Sequence, residues 1–302
     1  MKTTGRRGFL KLLGTAGAGA LARPRAAAGS EGIGPDPRAA ALLYDATRCV
    51  GCKACVAACK RANGLPPEAG AFDPQGLWDA PEDLDGSTRT VVKLYKGPEG
   101  TISYVKRQCM HCAKPACVSA CPVSAMQQDP RGAVFYDENR CIGCRYCMVA
   151  CPYNVPRFQW EQAAPKVVKC DLCRSSALPE TGQPACTGAC PTGAALFGTR
   201  GALLAEARRR LRASPGAYVD HIYGEREAGG ANALYLAAVP FDQLGFPTLS
   251  ETSGAALTER IQHTIYRGFV APATLLAGLF FIALGNRLDR RPDAPGGPGT
   301  GG

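Results

Sequence analysis

The chain is poor in aromatic residues and poorer still in histidine. Of its 302 residues 7 % are Phe, Trp or Tyr, and only three are histidines, His111, His221 and His263, which stand far apart. No nucleophile motif accompanies them, no glycine-rich loop has the form that cradles phosphate, and no carboxylate pair sits at a defined spacing. The pair Gly229-Gly230 lacks the strand–turn–helix setting of a dinucleotide site and reads as a turn. Nucleophilic, nucleotide-dependent and paired acid–base chemistry therefore have no visible machinery. Cysteine is absent before Cys49 and after Cys190, yet the span that these two bound holds all sixteen. At about 5 % of the chain they are too sparse for a small disulfide scaffold. They mark one domain, and the flanks need their own explanation. With 46 % hydrophobic residues the chain is not disordered.

Residues 1–28 lack any acidic side chain and carry six basic ones, Lys2, Arg6, Arg7, Lys11, Arg23 and Arg25. Arg6-Arg7-Gly8-Phe9-Leu10-Lys11, the weakly apolar stretch from Leu12 to Ala22 and Ala26-Ala27-Ala28 read as a twin-arginine export signal with a cleavage site. Gly5 stands where a hydroxyl residue is usual. A basic amphipathic helix is the competing reading, but the Gly/Ala-rich run lacks the apolar face it needs. At the other end, residues 268–285 form an 18-residue run without a charge, about 27 Å of helix against a hydrocarbon core of about 30 Å. Bounded by Arg267 and by Arg287, Arg290 and Arg291, and followed by a Gly/Pro-rich tail, it reads as a membrane anchor. Pro272 and the short length make a buried core helix the alternative. The expected organisation is a signal peptide (1–28), a cluster domain (29–200), an extension (201–265), a transmembrane helix (266–286) and a cytoplasmic tail (287–302). The cysteine domain would be periplasmic, anchored to the inner membrane.

The formal charge of +10 would suit nucleic acid or a lipid surface. Cleavage after residue 28 removes six of the 35 basic side chains and none of the 25 acidic ones, leaving +4. Nucleic-acid binding then loses its only support.

The sixteen cysteines form four groups of four. The first is Cys49-x2-Cys52-x2-Cys55-x3-Cys59 and the third is Cys141-x2-Cys144-x2-Cys147-x3-Cys151-Pro152. The second, Cys109-x2-Cys112-x4-Cys117-x3-Cys121-Pro122, is stretched, and the fourth opens the middle spacing further, as Cys170-x2-Cys173-x12-Cys186-x3-Cys190-Pro191. The C-x2-C-x2-C-x3-C-P run is the bacterial ferredoxin pattern. Three close thiolates wrap one iron–sulfur core, while the fourth, ahead of a proline that ends its helical turn, points to a second core. Four quartets with no cysteine left over fit four [4Fe–4S] clusters. Zinc and disulfides are the competing uses. Three closely spaced ligands followed by a fourth at x3 do not close one tetrahedron comfortably, and cysteines three apart rarely bridge without strain.

These groups, in this order, resemble the four-cluster ferredoxin subunits of membrane-bound oxidoreductases, and in particular the hydrogenase-2 type iron–sulfur subunits of respiratory [NiFe] hydrogenases. The likeness runs through Leu43-Tyr44-Asp45, Gln108-Cys109-Met110-His111-Cys112, Gly143-Cys144-Arg145-Tyr146-Cys147 and Phe197-Gly198-Thr199-Arg200. It continues past the cysteines through Tyr223-Gly224-Glu225-Arg226-Glu227, Val239-Pro240-Phe241 and Ile261-Gln262-His263-Thr264. The resemblance implies that the first group pairs with the fourth and the second with the third. Cys49, Cys52, Cys55 and Cys190 would hold one cluster, and Cys59, Cys170, Cys173 and Cys186 its neighbour. Cys109, Cys112, Cys117 and Cys151 would hold a third, and Cys121, Cys141, Cys144 and Cys147 the last. Spacing alone also allows neighbouring groups to pair in order.

The implied fold class is α+β: two ferredoxin-like [4Fe–4S] dicluster modules with an inserted hairpin and a C-terminal transmembrane helix. Residues 88–95 and 101–106 read as the hairpin, around a turn at 96–100, and Ala133-Val134-Phe135-Tyr136 as a strand. Leu203 to Arg212 reads as a helix whose arginines form a solvated face. His111, inside a cysteine group, could tune a cluster, although a satisfied or exposed histidine is the plainer reading. The implied function is electron transfer without bond-making chemistry. Its partners would be [NiFe] hydrogenase subunits and an integral membrane quinone-interacting subunit. Service to a molybdopterin oxidoreductase such as formate dehydrogenase or dimethyl sulfoxide reductase is the alternative.

Overall fold

A computed structural model describes residues 35–67, 82–97 and 100–288. The expected signal peptide lies outside the described residues, as does the tail from 289 onward.

Three strands build the main sheet, in the order β8–β1–β9: β1 (Ala40–Asp45) pairs antiparallel with β8 (Ala195–Thr199) and parallel with β9 (Ala233–Leu236). Alternation along β1 sends Ala41 and Leu43 to one face, where they meet Leu203, Leu204 and Ala207 of the helix α6 (Arg200–Ala213). Tyr44 turns to the other face and joins a core that includes Cys109, Cys170 and Tyr235. The sheet thus separates a helix from the cysteines. Thr199 caps α6 by accepting a hydrogen bond from the Ala202 amide.

The hairpin forms as expected, from β2 (Val91–Lys96) and β3 (Ile102–Arg107). Two short ladders serve the second and third groups: β4 (Met126–Gln128) with β5 (Val134–Tyr136), and β6 (Arg157–Phe158) with β7 (Val167–Val168). The arginines of α6 divide. Arg208 and Arg209 pair with Glu225 and Glu206 on the surface, but Arg210 is buried and bonds both Glu206 and the fully buried Asp45, at 2.7 Å each. One arginine of the expected solvated face therefore ties α6 to the end of β1.

The extension is woven into the cysteine region. Its Ala233 and Asn232 amides donate to the Met110 carbonyl, and Ala113 donates back to Gly230 at 2.9 Å. Gly230 sits at φ +87°, where a Cβ would lie 2.4 Å from Pro35 Cγ, so glycine is required. The scarce aromatics collect here: Tyr223, Tyr235 and Phe241 surround Phe246 with ring centroids 4.7–5.6 Å apart.

Residues Gly254–Leu288 form one 35-residue helix, α7, with Pro272 inside it. The expected transmembrane helix is corrected: among the described residues no helix is long and apolar enough to cross a membrane. The uncharged run is the second half of α7 rather than an element of its own. Its length falls short of the roughly 30 Å hydrocarbon core, and Pro272 lies inside it. The inner-membrane localisation that rested on this anchor falls with it.

Candidate iron–sulfur centre

Each cysteine group opens with the same local turn. The third residue of each group's opening C-x2-C unit has a left-handed backbone: Gly51 (φ +69°), His111 (+48°), Gly143 (+71°) and Leu172 (+59°). In three of them that residue's amide faces the first sulfur, Gly51 to Cys49 Sγ and Gly143 to Cys141 Sγ at 3.4 Å, and Leu172 to Cys170 Sγ at 3.5 Å. Glycine takes this conformation without steric cost, whereas His111 and Leu172 hold it against strain. A short helix then presents the next cysteine: Cys55 and Cys59 on α1 (Ala54–Ala62), Cys117 on α2 (Ala116–Ser119), Cys147 on α3 (Tyr146–Ala150) and Cys186 on α5 (Ala185–Gly188), α4 being Ala177–Thr181.

Proline sets the lengths of these helices. Pro122, Pro152 and Pro191 follow the last cysteine of their groups, and the helices before them stop after four or five residues. Cys151 adopts the extended backbone that a following proline imposes. The first group has Lys60 in that place, and α1 runs for nine residues until Asn63 ends it. Asn63 Nδ2 donates to the Cys59 carbonyl at 2.8 Å and lies 3.7 Å from Cys59 Sγ and 3.9 Å from Cys173 Sγ.

Packing brings thiols of different groups together. Helix α1 packs on α5 and α2 on α3. Cys55 interacts electrostatically with Cys186, Cys49 and Cys190, and Cys59 with Cys186 and Cys173. Cys112 has Cys109, Cys151 and Cys117 around it, and Cys147 has Cys121, Cys141 and Cys144. Further neighbours join these sets into a row: Cys55 with Cys186, Cys170 with Cys109, and Cys117 with Cys147. Cys52, at one end of the row, is exposed, whereas Cys170, Cys173 and Cys186 are buried. Near the other end, Ile142, Tyr146, Val149 and Trp160 are exposed.

Burial pushes the thiols up, Cys55 and Cys147 to about 11 and Cys59 and Cys117 to about 12. A bare thiol there stays protonated, and thiolate forms only with a cation to hold it. Cys190 runs the other way. Burial raises it, but the Ala195 amide and the Thr192 hydroxyl and amide outweigh that and bring it below the usual thiol range. Among the described residues no three His, Cys, Asp or Glu side chains gather closely enough for a single metal ion. Tetrahedral thiolates about 2.3 Å from one zinc would stand roughly 3.8 Å from each other. All-thiolate sets of four suit an iron–sulfur core.

His111 is fully buried and half satisfied. Its Nδ1 accepts from the Val134 amide at 3.0 Å, while Nε2 has no partner. Burial and the nearby Lys169 keep the ring neutral. The burial of Lys106 and Lys169 left no mark in the sequence. Lys106 and Lys169 lie within residue patterns that otherwise read as ordinary strand edges.

Two models described as 4Fe-4S dicluster domains match, over residues 48–125 and 101–200. The chain is 40 % identical to the hydrogenase-2 operon protein HybA of Escherichia coli O157:H7, over 93 % of this chain and 95 % of that one. The chain belongs to the HybA family of 4Fe-4S dicluster proteins. It is also 34 % identical to the iron–sulfur subunit of the nitrate-inducible formate dehydrogenase of Escherichia coli K12, over 81 % of this chain and 84 % of the other. A HybA-type chain is an iron–sulfur electron-transfer subunit of an oxidoreductase complex rather than its catalytic part.

Proposed function

We propose that this subunit holds four [4Fe–4S] clusters and carries electrons between a [NiFe] hydrogenase and a quinone-reducing partner. The ligand sets are Cys49, Cys52, Cys55 and Cys190; Cys59, Cys170, Cys173 and Cys186; Cys109, Cys112, Cys117 and Cys151; and Cys121, Cys141, Cys144 and Cys147. The supporting observation is that Cys59, Cys121, Cys151 and Cys190 each have as neighbours the thiols of a group other than their own or are counted among them. When bound, such clusters supply one-electron redox chemistry. The chain supplies thiolates, backbone amides aimed at sulfur, and burial from water. The hydrogenase assignment is supported by identity to HybA over nearly the whole of both chains, against a shorter and weaker match to the formate dehydrogenase subunit.

Two experiments test this reading. Cys59→Ser is expected to damage the cluster shared with the fourth group and to spare that of Cys49, Cys52 and Cys55; equal loss of the latter contradicts the pairing. Mixed with a [NiFe] hydrogenase under hydrogen, the loaded protein is expected to lose its broad visible absorbance. Bleaching only with formate and a formate dehydrogenase would transfer the subunit to the molybdopterin enzymes.

A further inference from the structure

Two ammonium groups are buried within the cysteine region with no carboxylate to balance them. Lys106, on β3, is 1 % exposed, and its Nζ donates to the Thr90 hydroxyl across the hairpin. Lys169, just after β7, is 4 % exposed and donates to the carbonyls of Val134 at 2.5 Å and Cys170 at 2.6 Å. Neither has a carboxylate partner among the described residues. Two buried arginines differ: Arg210 pairs with Asp45 and Glu206, and Arg200, bonded to the Ala231 and Glu225 carbonyls, also feels the Glu225 carboxylate. Burying an unbalanced ammonium is strongly unfavourable, and selection of such a group implies an anion beside it that the protein part alone does not provide.

The fold shows where that anion belongs. Strand alternation puts Tyr104 and Lys106 on one face of β3. The Tyr104 ring stands so close to Gly51 that a Cβ there would come within 2.3 Å of it. The Tyr44 hydroxyl also pins β3 beside the first group by donating to the Tyr104 carbonyl at 2.8 Å. Lys106 therefore enters between the first and fourth groups, where it interacts with Cys186, Cys55 and Cys59. Lys169 occupies the next junction along the row. It binds the Cys170 carbonyl on one side and acts on Cys117 and Cys151 on the other.

We propose that Lys106 and Lys169 are built-in countercharges that raise the reduction potentials of the clusters flanking them. Lys106 serves the pair shared by the first and fourth groups, and Lys169 serves the cluster of Cys109, Cys112, Cys117 and Cys151. A fixed positive charge in a poorly solvated site favours the reduced, more negative core over the oxidised one. The proposal rests on the four-cluster reading. It adds that the potentials along the row are set by two named side chains.

The test is a redox titration of the loaded protein followed by electron paramagnetic resonance, with iron content measured on each variant. Lys106→Met is expected to change the oxidised-to-reduced ratio of at least one cluster about tenfold at fixed potential, equivalent to ~59 mV downward for one electron. Lys106→Arg, which keeps the charge, should hold every midpoint close to that of the parent. Lys169→Met should lower a different signal; movement of the same signal by both variants contradicts the assignment. A fully loaded Lys106→Met protein with unmoved midpoints overturns the proposal. Should Lys106→Met fail to load, Lys106→Gln, which can still donate to Thr90, takes its place under the same criteria. If neither neutral variant loads while Lys106→Arg does, the Lys169→Met titration decides: a lowered midpoint supports the proposal and an unmoved one overturns it. If Lys106→Arg fails as well, the site requires the lysine's shape and the proposal falls. An iron content near half that expected in the parent protein would instead overturn the four-cluster reading, before any variant is made.

Discussion

The first and third cysteine groups carry the same motif in different surroundings. Each is preceded by an aspartate that caps a 3-10 turn, Asp45 accepting from the Thr47 amide and Asp137 from the Asn139 amide, both at 3.1 Å. Each then turns through a glycine at φ near +70°. There the likeness ends. Asp45 is fully buried, bonded to Arg210 at 2.7 Å and to the Tyr218 hydroxyl at 3.0 Å, and the hairpin lies over Gly51. Asp137 pairs with the exposed Arg140 at 3.3 Å, and beside Gly143 the nearest atom to a notional Cβ is Phe158 Cζ at 3.8 Å. The ligand loop is thus a local structure that forms in either setting, while burial, charge and access to water are imposed by whatever the rest of the chain packs against it.

Substitutions at matched positions should expose that difference. The largest gap is expected at the caps. Asp45→Ala removes one partner of a buried ion pair and should cost about 3 kcal/mol or more, whereas Asp137→Ala loses an exposed cap worth about 1 kcal/mol. Thermal unfolding of the two loaded variants reads the gap directly, and equal losses would remove the distinction. The glycines come next. Gly143→Ala should cost only the left-handed penalty of about 1–2 kcal/mol; Gly51→Ala adds the collision with Tyr104 and should also lower iron content, while Gly143→Ala retains it. A smaller effect is expected from Asn63→Leu, which withdraws the amide near Cys59 and Cys173 along with its bonds to Arg89 and Ser176. About 1–2 kcal/mol of stability should go, together with a lower midpoint for one cluster; an unchanged titration would show that the amide serves structure alone. Smallest is Trp160→Ala. The Arg145 guanidinium lies 4.8 Å from that exposed ring, and loss of the contact should change stability by about 0.5–1 kcal/mol with iron content intact.

The cysteine turns were legible because they are local. The x2, x2 and x3 spacings determine which cysteines share a turn, and the prolines after Cys121, Cys151 and Cys190 mark where three helices stop. The hairpin and β5 followed from β-branched residues between turn signals. What could not be read is tertiary. Lys106 lies in an alternating strand where a lysine ordinarily faces water, and only packing of the hairpin over Gly51 turns it inward. Arg210 sits in a run of arginines that looks uniformly solvated, and it is buried because Asp45 needs a partner. The extension gave no sign that Ala231, Asn232 and Ala233 dock on the second group, since backbone pairing leaves no mark in side-chain pattern. The anchor misled because an 18-residue run without a charge was read as an element of its own, whereas it is part of a helix that begins at Gly254.

The account depends most on the number of clusters. Iron and acid-labile sulfide should therefore be counted in the anaerobically purified protein and set against the spins found after full reduction. Four clusters predict a brown protein with about sixteen irons per chain and an equal amount of sulfide. About eight irons, or a colourless protein with roughly one zinc per four cysteines, would contradict it.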